Sequence, residues 1–387
     1  MTPLLLLLAF AAGPEIDKTR LDALRERFQK FIDAGDIPGA VLALGTKDSV
    51  HIEAVGKRSL EPAADMEKDT PFRIASMTKP IVGAAIQLLI EDGRLAATDP
   101  VEKHLPEFKG QMVVSERGED TLTLRKPKRP ITVRDLLTHT SGLSAYPPGF
   151  GDFYMGRDRS LAEAALAVSQ RPLDFEPGTK WAYCNSGIDT LGRIVEKVSG
   201  KPFEAFMQER IFDPLGMKDT SFHPTEEQLK RTASLYSKEK GRLVLAKDTL
   251  LGPPGKGKHP IPAGGLYSTA ADVSRFYQAM LGGKAKLLKQ ESIKEMTTVH
   301  TGDLKAGFTS SMGFGYAFAV VRKPEGATEH LSAGSFGHGG AFGTQSWADP
   351  EKGHFVVLMI QRTGLPNADA SEMRKELQRL AVEALKK

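Results

Sequence analysis

The sequence contains one cysteine, Cys184, among 387 residues. No disulfide can therefore form within the chain, and a cysteine cluster for zinc or for an iron–sulfur centre is excluded. An excess of one charge is also missing, because 52 Lys and Arg residues face 48 Asp and Glu residues. That balance does not indicate a nucleic-acid partner, which requires a clustered basic surface. The densest basic run, residues 124–129, predicts a solvated loop or, alternatively, a weak contact with an anionic surface.

The sequence also lacks an apolar run that could span a bilayer as a helix, which takes about 20 residues. A shorter apolar block, residues 4–8, lies near the N-terminus and is followed by the small-x-small pattern of a signal-peptidase site at 9–11. We therefore predict a signal peptide over residues 1–12, cleaved near Ala11 or Ala12. The mature protein is expected to be secreted or periplasmic, without a stable membrane span.

Two common functional motifs are absent as well. Residues 252–259, GPPGKGKH, approach the phosphate-binding loop G-x4-G-K-[ST], but His259 replaces the magnesium-binding hydroxyl and prolines follow where a helix is needed. Nucleotide binding is therefore not predicted. The nucleophile elbow G-x-S-x-G does not occur either, and AGSFG at 333–337 comes nearest.

The hydrophobic pattern places strands at the two ends of the chain and helices in the middle. Strands are predicted at 41–55, 313–321, 341–348 and 354–361, the last being the clearest. Helices are predicted at 17–34, about 76–92, 133–138, 160–170, 187–198, 270–281 and 371–386, and the first has Leu21, Leu24, Phe28 and Ile32 on one face. The simplest assembly is an α/β domain of residues 13–78 and 285–387, with a mostly helical domain of residues 79–284 inserted.

The segment Ser76-Met77-Thr78-Lys79 lies at the start of a long apolar helix. Residues i and i+3 share a helix face, so the hydroxyl of Ser76 is expected beside the amine of Lys79. A serine needs a neighbour that takes its proton, and a lysine can do so only when burial or nearby cations lower its pKa. Residues 237–240 repeat the S-x-x-K pattern, but in a charged stretch that favours a solvated segment.

A second candidate segment is Tyr183-Cys184-Asn185, which follows a turn and precedes a helix. Beside a lysine ammonium the pKa of a phenol falls below its usual value near 10, so Tyr183 is a candidate general base. Asn185 is a candidate to hold a substrate amide or to fix Lys79. The alternative is a loop tyrosine with a capping asparagine.

The third candidate segment is His338-Gly339-Gly340-Ala341, expected just before a strand. Glycines at a strand start let another backbone approach closely, so a substrate could lie here as an added strand. The N–H groups of Ala341 and Ser76 are a candidate oxyanion hole. The alternative is a simple glycine-rich turn.

Together and in this order, the three segments resemble the S-x-x-K, Y-x-N and third-strand motifs of the serine β-lactamase and penicillin-recognising family, specifically its class C branch. The flanking sequence is similar too, at FRIA 72–75, LLTHTSGL 136–143, PLGM 214–217 and GGLYST 264–269. The resemblance covers nearly the whole mature chain. It implies an α+β fold of β-lactamase/transpeptidase type, in which an antiparallel sheet is flanked by helices and the site lies at the interface with the helical domain.

The resemblance also implies a serine hydrolase that forms an acyl-enzyme on Ser76, assisted by Lys79 and Tyr183, with no metal or cofactor. Family β-lactamases usually carry K-T-G where this chain has His338-Gly339-Gly340, and a histidine is mostly neutral at pH 7. A carboxylesterase that acts on small esters is therefore favoured. A D-amino-acid peptidase or carboxypeptidase, a β-lactamase and a non-catalytic penicillin-binding or cell-wall sensor stay open. Residues 143–159 and 250–262 are expected to set the substrate, a small ester or peptide.

Overall fold

An eight-stranded antiparallel sheet forms the centre of the structure, a computed structural model that describes residues 14–144, 158–246 and 258–386. The segment predicted as a signal peptide and parts of the two predicted substrate loops lie outside these residues. The strands are β1 Gly39–Thr46, β2 Val50–Leu60, β3 Ala63–Asp65, β4 Phe72–Arg73, β5 Val113–Arg117, β6 Leu122–Arg125, β7 Tyr236–Glu239, β8 Arg242–Leu245, β9 Tyr267–Ser268, β10 Met312–Phe314, β11 Ala319–Val321, β12 Phe336–Gly339, β13 Gln345–Asp349 and β14 His354–Met359. The large sheet has the order β10-β11-β12-β13-β14-β1-β2-β3.

Helices cover both faces of this sheet. They are α1 Leu21–Asp33, α2 Thr78–Glu91, α3 Val101–His104, α4 Val133–Leu137, α5 Leu161–Ser169, α6 Asn185–Ser199, α7 Phe203–Met207, α8 Asp213–Leu215, α9 Glu226–Arg231, α10 Ala270–Met280, α11 Gln290–Thr297 and α12 Glu372–Glu383. Strand side chains alternate between faces, so Leu42 and Leu44 join the core under α1 and α12, while Val41 and Ala43 join the core under α2 and α10. Every residue of β1 is buried for this reason. The predicted fold class, an antiparallel sheet flanked by helices, is confirmed.

The periodicity of α1 shows how the helices of the outer layer form. Leu21, Leu24, Phe28 and Phe31 are its buried residues, and their spacing places them on one face. Ile32, which the periodicity also places on this face, packs against the same core but is only partly buried, and Phe31 beside it is the more deeply buried residue.

Two strand predictions near the C-terminus are wrong in their bounds. Residues 313–321 form two strands, β10 and β11, joined by a turn in which Ala317 has a φ of +59°. Residues 341–344 belong to the turn between β12 and β13, so His338 and Gly339 lie on a strand and not before one. The turn residues 315–318 are apolar or glycine and are buried like the short strands on either side of them, so the sequence pattern continues through the turn.

The middle of the chain is less uniformly helical than the sequence indicated. Two hairpins, β5–β6 and β7–β8, interrupt the helices, and their strands are largely exposed. Such strands have no buried face and hence no clear alternation of apolar residues. Among the described residues, no helix is both long and apolar enough to cross a membrane. The proposed domain boundaries at 78/79 and 284/285 stay a prediction.

Candidate active site

The position of Ser76 is set by a backbone turn that joins the short strand β4 to α2. Strand β4 pairs with β9, and the N–H of Ile74 donates to the carbonyl of Leu266 at 3.0 Å. Ala75 then adopts a φ of +46°, which is unfavourable for a residue with a Cβ and marks a sharp change of direction. Ser76 follows in a single 3-10 turn, Ala75–Met77, that leads into α2. The serine is thus held at the N-terminus of a buried helix.

Helix α2 explains the environment of Lys79. All residues from 78 to 89 are buried, so the lysine is surrounded by apolar packing and its amine is withdrawn from water. The Nζ atom donates to the hydroxyl of Ser76 at 3.0 Å and to the carbonyl of Ala263 at 2.7 Å. Burial lowers the pKa of Lys79 to about 7, although the charge of Asp189 acts in the opposite direction. At neutral pH a substantial share of Lys79 is therefore uncharged and able to accept the proton of Ser76.

Tyr183 lies against the same amine. The Nζ atom of Lys79 is 4.6 Å from the centroid of the tyrosine ring, which contributes a cation–π contact when the lysine is charged. The ring also contacts Phe308, His139 and His338, with centroid distances of 4.9, 4.6 and 5.9 Å. The tyrosine of the predicted Y-x-N segment is thus brought next to the serine–lysine pair.

His139 holds the main chain on both sides of Tyr183. Its carbonyl accepts the N–H of Ala182 at 3.0 Å, and its Nδ1 atom accepts the N–H of Cys184 at 3.2 Å. His139 itself has a φ of +59° and is fully buried, and burial lowers its pKa well below the usual value, helped by the charge of Lys79. The imidazole is consequently neutral and its Nδ1 is free of a proton, as acceptance of the Cys184 N–H requires.

The third segment lies across the cavity from Tyr183. His338 is buried on β12, opposite Ser346 of β13, and its Nδ1 atom is 2.7 Å from the carbonyl of Gly339. Burial lowers the pKa of His338 to about 3, with a further contribution from the charge of Lys79. The ring is therefore neutral at neutral pH.

Gly340 allows the β12–β13 turn to touch the segment that carries the serine. A Cβ at Gly340 would lie 2.5 Å from the carbonyl oxygen of Ile74. The hydroxyl of Thr344 donates to that same carbonyl at 3.2 Å, and this bond fixes the approach. The arrangement brings Ala341 and Ser76 to the wall of one cavity.

That cavity has a volume of about 180 Å³. Seven of the eight predicted site residues line it, namely Ser76, Tyr183, Asn185, His338, Gly339, Gly340 and Ala341, and Lys79 lies beneath Ser76. Phe308, with 46% of its surface exposed, provides an apolar wall. The structure therefore brings together all residues that the sequence predicted for the site, while their chemical roles remain to be tested.

Five contributors to the site were not predicted, namely His139, Asp189, Ala263, Phe308 and Asp369. Asp189 had a signal, since it is an acidic residue within the apolar face of α6 and lies four positions after Asn185. His139 lies in the segment LLTHTSGL at 136–143, which resembles the family but suggests no role for the histidine. Ala263 acts through its carbonyl and Asp369 lies on a short turn, so neither had a sequence signal.

The comparisons with known proteins agree with this geometry. Residues 24–381 match the family model described as Beta-lactamase. Esterase EstB of Burkholderia gladioli is 30% identical over 381 residues, which cover 91% of this chain and 92% of that protein, and lovastatin esterase of Penicillium rubens is 33% identical over 71% and 72%. The structure of EstCE1, titled a hydrolase with promiscuous acyltransferase activity, superposes with a TM-score of 0.78 at 24% identity and covers 95% of this chain and 98% of that one. This last likeness shows the fold.

Proposed function

The chain belongs to the Beta-lactamase family and is a serine hydrolase that works through an acyl-enzyme, and from that premise we propose that it is a carboxylesterase with Ser76 as its nucleophile. One observation carries the proposal. The amine of Lys79, buried and with a pKa of about 7, lies 3.0 Å from the hydroxyl of Ser76 at the wall of an open cavity. A neutral amine at hydrogen-bond distance is what a serine needs to become a nucleophile.

The first half-reaction follows from these contacts. Neutral Lys79 accepts the proton of Ser76 as the oxygen attacks the ester carbonyl, and a tetrahedral intermediate forms. We assign the N–H groups of Ser76 and Ala341 to the developing oxyanion. When the intermediate collapses, the bond to the alcohol breaks and the alcohol oxygen takes the proton from Lys79 by way of Tyr183. The acyl group remains on Ser76 as an ester.

The second half-reaction uses the same groups in reverse order. A water molecule attacks the acyl carbon while Tyr183 and Lys79 accept its proton, and the serine oxygen recovers a proton as the acid leaves. Both half-reactions need one group that can both accept and donate a proton near neutral pH. Lys79 meets this requirement because its pKa is about 7.

The neutral state of His338 supports an ester substrate over a β-lactam. A lysine at this position would keep its charge and hold a substrate carboxylate, whereas the pKa of His338 is lowered to about 3. The imidazole therefore adds no positive charge to the cavity. Two of the similar proteins described above are named as esterases, which agrees with this choice.

The test is covalent labelling followed by turnover. A fluorophosphonate probe is expected to label the wild-type protein and to fail on Ser76→Ala. Ser237→Ala is the matched control, because Ser237 has the same S-x-x-K pattern but lies on the hairpin strand β7. Equal labelling of wild type and Ser76→Ala would show that Ser76 is not the nucleophile.

Steady-state hydrolysis then separates an enzyme from a sensor. We expect continuous release of p-nitrophenol from p-nitrophenyl acetate and butyrate, and much weaker activity on nitrocefin and on D-alanyl-D-alanine peptides. A single burst equal to the protein concentration, without further release, would instead identify a non-catalytic receptor. Preferred turnover of nitrocefin would identify a β-lactamase.

We also propose that the protein is exported. The apolar block at residues 4–8 and the small residues at 9–11 support a cleaved signal peptide. Expression of the full chain in a bacterial host is expected to give mature protein in the periplasm or medium, starting after Ala11 or Ala12. An intact N-terminus in cytoplasmic protein would contradict export.

A further inference from the structure

The charged groups of the cavity wall carry information about the substrate. Apart from His338, which burial holds neutral, Asp369 is the one acidic or basic residue among the described residues that line the cavity. Lys79 lies beneath Ser76 and contacts main-chain and hydroxyl oxygens there. Within the described part of the chain, the cavity wall away from Ser76 therefore carries a carboxylate, and the cation nearest the nucleophile is Lys79, which lies beneath Ser76 and is partly neutral at pH 7.

Asp369 is held in place by its neighbours. It lies in the 3-10 turn Ala368–Ala370 just before α12, and its N–H donates to the side-chain oxygen of Asn367 at 3.0 Å. The Nε2 atom of Gln345 donates to its Oδ1 atom at 3.2 Å. The side chain is 22% exposed and lines the cavity. Burial raises the pKa of Asp369, while the charge of Arg374 and the hydrogen bond from Gln345 act in the opposite direction and favour the carboxylate. A carboxylate fixed in this way acts on a substrate at a defined position.

Arg374 is the nearest cation, but it lies behind Asp369. Its guanidinium is 4.0 Å from Oδ1 of Asp369, is 1% exposed, and stacks on Trp347 at 3.9 Å from the ring centroid. One of its N–H groups donates to the main-chain carbonyl of Asp369. Arg374 lines a small void next to the cavity together with Asp369 but does not line the cavity itself, so the charged group of this pair at the cavity wall is the carboxylate.

The lack of a side chain at Gly339 lets the carboxylate of Asp369 lie directly against strand β12. A Cβ at this position would collide with Oδ1 of Asp369 and with the amide of Gln345. The absence of a side chain on Gly339 thus leaves room for the carboxylate directly beside β12, next to His338.

We propose that Asp369 is a specificity-determining residue. It excludes esters that carry a carboxylate near Gly339. It favours esters whose group at that position is uncharged or donates a hydrogen bond, such as a hydroxyl or an ammonium. This inference rests on the proposed carboxylesterase activity. Like charges a few ångström apart repel strongly in a partly desolvated site, and a hydrogen bond to a carboxylate is stronger than one to a neutral acceptor. The substrate class is therefore neutral or cationic esters.

The experiment compares matched ester pairs on wild type and Asp369→Asn. One pair differs in the acyl group, p-nitrophenyl butyrate against mono-p-nitrophenyl succinate, and the other in the leaving group, phenyl acetate against 4-acetoxybenzoate. We expect wild type to prefer the neutral member of each pair. Asp369→Asn is expected to raise the ratio of kcat/KM for the anionic to the neutral member by about tenfold in at least one pair.

The ratio is measured within one variant, so a partial loss of folded protein cancels. Glu372→Gln is the matched control, because it removes one carboxylate from the start of α12 at a side chain that is 60% exposed. It should leave both ratios unchanged. If Asp369→Asn does not fold, the preference of wild type within each pair still tests the proposal, because a preference for the anionic esters would overturn it.

The outcomes are distinguishable. Ratios that do not change in Asp369→Asn, or a wild-type preference for the anionic esters at low ionic strength, would overturn the role of Asp369 while leaving the esterase in place. A wild-type protein that hydrolyses none of the four esters would overturn the proposed function itself.

Discussion

The buried carboxylate of Asp189 is linked to the amine of Lys79 through the main chain of Ala263. The N–H of Ala263 donates to Oδ1 of Asp189 at 2.8 Å, and Lys79 donates to the carbonyl of the same residue at 2.7 Å. The side chain of Asp189 is only 6% exposed, so its charge is weakly screened and raises the pKa of Lys79 against the effect of burial. Asp189 therefore both positions the carbonyl that holds the lysine and adjusts the lysine's proton affinity.

Asp189→Asn should shift the pH dependence of activity. Because the negative charge raises the pKa of Lys79, its removal lowers that pKa, and the acid limb of kcat/KM moves to lower pH. An asparagine oxygen can still accept the N–H of Ala263, so the lysine should keep its position. The measurement is kcat/KM for p-nitrophenyl butyrate between pH 5 and 9.

A matched control for Asp189→Asn is available in Asp272, another buried acid. It accepts the N–H of Asp219 at 2.7 Å, near the start of α10, and it is not among the groups that shift the pKa of Lys79. Asp272→Asn should leave the acid limb of the pH profile of kcat/KM unchanged. An acid limb that stays where it is in Asp189→Asn would show that Lys79 is not the titrating base.

The serine–lysine pair of this site could be predicted from the sequence because its two residues are close together in the chain. Ser76 and Lys79 are three residues apart on one helix, and the apolar residues of α2 predict the burial that lowers the lysine's pKa. Strand β14 was predicted for a similar reason, since its apolar run is buried on both faces of the sheet.

The remaining features depend on contacts between distant segments. Ala263 meets Lys79 across 184 positions of the chain, and Asp369 meets Gln345 through a turn with no distinctive residues. A backbone carbonyl has no residue type, so no pattern could have identified Ala263. The exposed hairpins β5–β6 and β7–β8 were missed because their strands bury too little apolar surface to show a period of two.

His139 provides a test of positioning without contact to the substrate. His139→Leu removes the acceptor for the Cys184 N–H and places a bulky residue at a φ of +59°, so the segment that carries Tyr183 should lose its fixed geometry. We expect kcat to fall by about tenfold or more, with a smaller change in KM.

His139→Asn separates positioning from a general loss of stability. Asparagine tolerates a positive φ and its Oδ1 atom can accept the same N–H, so it should restore most of the kcat that leucine loses. Thermal unfolding of both variants gives the fraction folded. Equal kcat values for the two variants would argue against the acceptor role.

The buried histidine of β14 predicts a loss of stability in acid. Burial lowers the pKa of His354 to about 4, from a usual value of 6.5. Between these two pH values the unfolded chain binds a proton that the folded chain does not, so the free energy of unfolding falls as the pH is lowered through this window. The slope is about 1.4 kcal/mol per pH unit for one such group.

His354→Gln should reduce this acid sensitivity. Chemical denaturation at pH 7 and pH 4.5 is expected to show a smaller loss of unfolding free energy than in wild type, by roughly 2 kcal/mol. His223→Gln, at a side chain that is 38% exposed, is the control and should behave as wild type. Identical losses in His354→Gln and wild type would show that His354 is not held neutral by the fold.

A substitution at His338 tests whether the substrate is a neutral ester or a compound that carries a carboxylate. The ring is buried between Tyr183 and Phe314, at centroid distances of 5.9 and 6.3 Å, and is neutral because burial and the charge of Lys79 oppose a proton there. In His338→Lys a second cation would be forced beside Lys79. Like charges in a buried site disfavour each other, so the pKa of Lys79 should fall further and its amine should become a weaker base toward the proton of Ser76.

We therefore expect His338→Lys to lose ester hydrolysis and to gain little activity on nitrocefin. A loss of about 1.4–2.7 kcal/mol of transition-state stabilisation corresponds to roughly tenfold to a hundredfold in kcat/KM, and we expect a loss of this size for p-nitrophenyl butyrate. His338→Gln introduces no charge and should retain more ester activity than the lysine variant, so their difference measures the effect of the charge. Asp369, on the same side of the cavity, would attract the new ammonium and leave less of it for a substrate carboxylate. Undiminished esterase activity together with strong nitrocefin turnover in His338→Lys would mean that the cavity is built to hold an anion, and the assignment of an ester substrate would then be wrong.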